Sequence, residues 1–226
     1  MRGGSAHRSP CMGAWIEMFT ILKSIYHLLR GITAWTDLIW NSCLFSLRKA
    51  EIGKDVVIHG RVRLYGRGKL IVEDCVTLNS DIRYNPIGGQ SYCSFAIEEG
   101  ACVRIQEGAG ISNVAICSRA GIDIGRNVFI GGNCRIYDTD FHAILLKYRL
   151  EQPDTHVCSK KVCIRDGVFI GSSCIILKGI TIGENSVIGA GSVVSKDIPP
   201  NQIWGGNPIR FIKAIEDLEK DALKGR

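Results

Sequence analysis

Two aspartates and a histidine stand within five residues of one another in the stretch IYDTDFHAI, Ile136 to Ile144: Asp138, Asp140 and His142. Near neutral pH, imidazole is the side chain best matched to taking a proton from a hydroxyl. A carboxylate that accepts the other ring N–H would orient it, as the third member of a triad does. By spacing, either aspartate could fill that role. Either could equally accept backbone N–H groups at a turn, a common task for Asp at a corner. Of the other histidines, His7 falls in the first ten residues, His27 in a helical stretch, His59 early in a repeat and His156 in a loop, so His142 alone stands beside carboxylates.

The cluster interrupts a rhythm. Ile124, Ile130 and Ile136 open the blocks IGRNVF, IGGNCR and IYDTDF; the pattern lapses over 141–161 and resumes at Ile164, Ile170, Ile176, Ile182, Ile188 and Val194. Ile52, Ile58, Leu64 and Leu70 keep the same spacing upstream. Such a period marks a repeat architecture. Each block supplies a short strand and a turn, with an aliphatic residue inward and a small or branched one inward again four places on, as with Ile182 and Ser186 or Ile188 and Ser192. Three blocks close a triangular coil of about 18 residues, whose stacked strands pair in parallel over an aliphatic column. Gly and Asn at the corners supply the backbone angles that sharp turns need. Collagen would need Gly at every third place, which this chain lacks. The expectation is an all-β main domain over 51–206 with a loop at 141–161.

Around it lie a leader at 1–10, an amphipathic helical segment of one or two helices at 11–50, and a helix at 207–226 in which Asn207 caps, Pro208 starts and Ile209, Ile212 and Ile215 face inward. That last helix is expected to close the open end of the coil. The insertion 85–92, NPIGGQSY, either shapes a pocket or is a surface loop.

Charge narrows the partners. Residues 1–50 hold six basic and two acidic residues, and the remainder 22 against 20, out of a total of 28 and 22. No nucleic acid partner is expected, because the main domain lacks a basic working face. Glu17 and Lys23 break any signal-like apolar run, and no window of about 18 apolar residues avoids a charge. The segment 11–50 packs against the rest of the protein or a sister subunit, or lies on an anionic membrane surface, as Trp15, Trp35, Trp40 and the local charge suggest. The ten cysteines show no Cys-x-x-Cys pair and read as free thiols in a reducing cytosol; Cys134 and Cys174 fall where the repeat wants a small side chain.

The blocks IGRNVFIGGNC, VFIGSSCIILKGITIGENSVIGAGSVVSKDIPPN and GGNPIRFIKAI resemble the hexapeptide-repeat acyltransferases, closest to the sugar and polysaccharide O-acetyltransferases of the maltose and galactoside type. The resemblance covers about Ile52 to Ile215. It implies a left-handed parallel β-helix, a homotrimer, and transfer of acetyl from acetyl-CoA to a hydroxyl of a sugar or surface-polysaccharide unit, with no metal and a cytoplasmic setting, at the inner face of the membrane if 11–50 binds lipid. His142 then matches the general base at the start of the extended loop, and the amide of Ser172 the oxyanion donor. Coenzyme A would lie along Ser172, Ala190, Ser195, Lys196, Arg210 and Lys213, and Asn113 would approach the acceptor or simply turn a corner. Rival readings on the same scaffold are acetylation of an amino sugar, serine or a xenobiotic alcohol, and a non-enzymatic scaffold. A zinc enzyme would need three histidines at matching spacing, which His59, His142 and His156 do not offer.

Overall fold

The computed structural model describes residues 10–89, 92–151 and 156–218. From Glu51 to Val194 the chain visits three parallel sheets in strict rotation. The first sheet runs through Glu51–Ile52, Lys69–Val72, Cys102–Ile105, Ile122–Ile124, Val162–Ile164 and Thr181–Ile182. The second runs from Val57–Gly60 through Thr77–Ser80, Gly110–Ser112, Phe129–Ile130, Phe169–Ile170 and Val187–Ile188 to Gln202–Gly205. The third runs from Arg63–Gly66 through Ser94–Ile97, Ala115–Ser118, Arg135–Tyr137 and Ile175–Ile176 to Val193–Val194.

The six-residue period builds this coil directly. Ile164, Ile170, Ile176, Ile182, Ile188 and Val194 are all 1% exposed or less, and so are Val168, Cys174, Ser186 and Ser192 four places on. Each buried aliphatic side chain contributes about 1.5–3 kcal/mol relative to exposure. The inward serines are satisfied by corner carbonyls: Ser186 Oγ donates to Pro199 O and Ser192 Oγ to Gly189 O. One column of corners shows why Asn and Gly recur. Asn127, Gly167, Asn185 and Asn201 all have positive φ, and each N–H reaches a carbonyl one coil below, such as Gly167 to Arg126 O at 2.8 Å and Asn185 to Asp166 O at 2.9 Å.

The N-terminal segment is a single α-helix, Pro10–Arg48. Its last turns dock on the first coil. Asn41 substitutes for a strand edge there, with Nδ2 donating to Gly60 O (2.8 Å) and Oδ1 accepting from Val62 N (3.0 Å). Buried Asp37 takes Arg61 and Arg83, and Phe45 enters the core.

The C-terminal expectation needs correction. Asn207 and Pro208 lie in a turn joined by a cis peptide, not at a helix start, and Arg210–Ala214 is a strand antiparallel to Gln202–Gly205. Phe211 and Ile212 suit a pleated strand, and Gln202–Gly205 would otherwise end the second sheet on an open edge. Ile209 is buried as expected, whereas Ile212 is 59% exposed. Residues 215–218 are helical, and the remainder of 207–226, like 1–9, lies outside the described residues.

Candidate active site

The coil opens at the corner between the third and first sheets, where the loop at 141–161 departs. Tyr137 ends its strand, and Asp138, Thr139 and Asp140 then meet the returning chain: Lys160 N donates to Asp138 O (2.8 Å), Asp140 N to Cys158 O (3.1 Å), and Ser159 Oγ to Thr139 Oγ1 (2.9 Å). This neck fixes both ends of the loop between. Phe141 sits just beyond it at φ 67°, rare for a bulky residue. Its ring packs edge-on against Tyr137 at 5.0 Å, and His142 follows, exposed to solvent.

The two aspartates, alike by spacing, have different surroundings. Asp138 is fully buried and accepts four hydrogen bonds, from Ser118 Oγ and the N–H groups of Arg119, Ala120 and Gly121, at 2.7–2.9 Å. Both oxygens are committed to the turn one coil below. Asp140 makes an ion pair instead, through Oδ1 to Lys178 Nζ at 2.5 Å, while its buried Oδ2 has no hydrogen-bond partner among the described residues. Spacing within IYDTDFHAI does not point to Lys178, but the register of the repeat does. Ile136 and Ile176 are paired neighbours in the third sheet, so the position two residues past each falls at the same corner. Aligning the blocks sets Lys178 above the aspartates.

The other candidates divide between two edges and one outer face. Ser195 and Lys196 follow Val194, which pairs with Ile175–Ile176 through the third sheet, and so share the His142 edge; Lys196 Nζ lies 5.0 Å from the Trp204 ring. Ser172 and Ala190 lie at the corner between the second and third sheets, where Ser172 O accepts from Gly191 N at 2.9 Å and no acceptor among the described residues takes the Ser172 N–H. The strand Ile175–Ile176 separates this corner from Lys178. At about 3.3 Å per residue, the two edges stand roughly 10 Å or more apart.

Arg210 and Lys213 come together because of a bulge. Directly paired residues share a face. Arg210 pairs with Gly205 and Lys213 with Ile203, and the register shift between Ile203 and Trp204 brings both cations to the face opposite Trp204 and Phe211. Through Ile203 that is the outer face of the second sheet, where Phe129, Phe169 and Val187 form one row, the two phenylalanines half-exposed.

Asn113 is buried at a positive-φ corner, its N–H donating to Asn79 O (2.8 Å) and its Nδ2 to Asn85 O (3.3 Å) at the start of the 85–92 insertion. It borders a cleft of about 250 Å³ that Tyr92, Ser94, Ala115 and Arg135 also line.

Residues 164–196 match the family model described as bacterial transferase hexapeptide (six repeats). The chain is 41% identical over 108 residues to a galactoside O-acetyltransferase of Escherichia coli K12, covering 48% of this chain and 51% of that protein. It spans about half the length of the curated relatives it matches. A maltose O-acetyltransferase from Clostridium difficile is 30% identical over 73% of this chain and 69% of its own, with a TM-score of 0.41. A hexapeptide-repeat acetyltransferase from Vibrio cholerae, 23% identical, superposes with a TM-score of 0.53 over 84% of this chain and 92% of its own, a likeness of fold.

Proposed function

The chain belongs to the hexapeptide-repeat transferase family, and on that premise we propose that it is an acetyltransferase moving acetyl from acetyl-CoA to a hydroxyl of a sugar or surface-polysaccharide unit. The coil then winds left-handed, and His142 is the general base. The observation that carries this reading is the corner at 138–142, where a rigid neck presents an exposed imidazole two residues past a carboxylate oriented by Lys178.

In the reaction, the acceptor hydroxyl gives its proton to His142 as its oxygen attacks the thioester carbonyl. The tetrahedral oxyanion forms against an unspent backbone amide, for which Ser172 N–H is the candidate. The C–S bond then breaks, the imidazolium returns its proton to the thiolate sulfur, and an acetyl ester and coenzyme A leave. Arg210 and Lys213 would meet cofactor phosphates, with Ala190 leaving room for the pantetheine arm along the corner. Lys213 would do so as a point charge rather than a bidentate fork.

His142 and Ser172 stand on opposite edges of the third sheet, so one chain does not hold a whole site. A homotrimer that sets one copy's His142 edge against the next copy's Ser172 edge would complete it. The half-exposed Phe129 and Phe169 row offers apolar surface for such contact.

Replacing His142 by Ala should reduce acetyl transfer by about 100- to 10,000-fold, while coenzyme A binding and assembly survive; retained turnover would refute the base assignment. Mixing His142→Ala subunits with Ala190→Trp subunits, each inactive alone, should regain activity if sites form between copies. No regain in verified mixed oligomers would refute the shared site.

A further inference from the structure

The helix Pro10–Arg48 carries a surface that the transferase reading does not use. Ile21, Leu22, Ile25, Leu28, Leu29 and Ile32 are each 47–65% exposed. At about 100° per residue they share one side of the helix, and with Phe19, Tyr26 and Trp35 at the margins the apolar arc reaches about 200°. The helix holds the coil with its other side. Asp37, Asn41 and Phe45, at four-residue intervals, lead the docking contacts, and Asn41 lies about 160° around the axis from Ile25; Trp40, whose Nε1 donates to Val62 O, joins them only beyond the C-terminal end of the stripe. Lys23 and Arg30 continue that docking line at seven-residue intervals, with His27 beside them, and residues 18–36 contain no acidic residue.

We propose that this helix lies in the surface of an anionic lipid bilayer, with its apolar stripe among the acyl chains near the headgroups and the coil held on the water side. Three features favour lipid over a second copy of the chain. The stripe is wider than a coiled-coil seam: Phe19, Ile21, Tyr26 and Leu28 occupy the flanking positions where paired helices carry matching charges. The polar side is cationic without compensation from Glu or Asp over 18–36, which suits phosphate headgroups and would repel a like helix. The coil is held by the turns from Asp37 to Arg48, C-terminal to the stripe and mainly on its far side, so the stripe over residues 21–32 stays open to a surface. No helix among the described residues is long and apolar enough to cross a membrane, so the contact is along the surface.

Flotation of the full-length protein with phosphatidylcholine vesicles, alone or mixed with phosphatidylglycerol, tests this. Wild type should float with the mixed vesicles, and Ile25→Ser/Leu29→Ser should partition about tenfold or more weakly. Lys23→Glu/Arg30→Glu should lose binding to the mixed vesicles selectively. These side chains are exposed, so an unchanged unfolding temperature shows that the fold is intact. Absence of wild-type binding, or equal binding by the stripe variant, overturns the proposal. So does a stripe variant that lowers the sedimenting mass of lipid-free protein, which would assign the face to a second copy.

Discussion

Lys178 Nζ stands 2.5 Å from Asp140 Oδ1, joining two successive turns of the coil at the corner where the loop bearing His142 departs. The pair leaves Asp140 Oδ2 buried and unbonded among the described residues, an acceptor held at a defined place. If Asp140 and Lys178 position His142, Lys178→Met should lower kcat by roughly ten- to hundredfold and shift the kcat pH profile, with KM for acetyl-CoA little changed. Lys178→Arg should recover part of the loss. Equal kcat and pH profile in Lys178→Met would reduce the pair to a structural contact.

Asp138 has a different consequence. Its carboxylate satisfies three backbone N–H groups and one hydroxyl in the interior, so Asp138→Ala strands four donors at once. We expect a loss of about 2–4 kcal/mol in denaturant unfolding, with acetyl-CoA affinity retained in the folded fraction. A variant as stable as wild type would contradict the turn-holding role.

The bulge that brings Arg210 and Lys213 to one outer face predicts that they act together on the cofactor. Arg210→Ala/Lys213→Ala should weaken acetyl-CoA binding by about tenfold at low salt, the deficit shrinking as salt screens the phosphates. Calorimetric titration at two ionic strengths would reveal it. A deficit that does not change with salt would point to packing rather than charge.

Cys93 is fully buried, and burial pushes its thiol up to about 11 from 9.0. Above pH 9 the unfolded chain ionises this thiol while the native state keeps its proton, so the unfolded state binds fewer protons and stability falls as pH rises. The contribution is complete below pH 9 and is lost by about pH 11, amounting to roughly 2–3 kcal/mol. Denaturant midpoints measured across that window should slope downward in wild type and more shallowly in Cys93→Ala. Parallel slopes would remove Cys93 as the cause.

The sequence alone determined the parts that depend on period and local chemistry. Spacing by six named the inward residues, including Ser186 and Ser192, because a short strand and a turn repeat the same geometry in every block. The Asn and Gly corners were legible because few other residues accept positive φ. The lapse in the rhythm marked the loop and its histidine. What sequence left open was which of two aspartates a neighbouring coil would claim. Asp138 and Asp140 differ by two positions, and only stacking decided that four donors of 118–121 converge on one and Lys178 on the other.

The ends were less legible for the same reason. NPIRFIKAI has the cap and the proline of a helix start, but the open edge at Gln202–Gly205 drew Arg210–Ala214 into a strand, and a one-residue bulge then chose the side its cations face. At the other end, periodicity revealed a helix with one apolar side. Only the tertiary structure decided that the coil takes the opposite side, because Asn41 matches the exposed backbone of residues 60–62 where an aliphatic side chain could not.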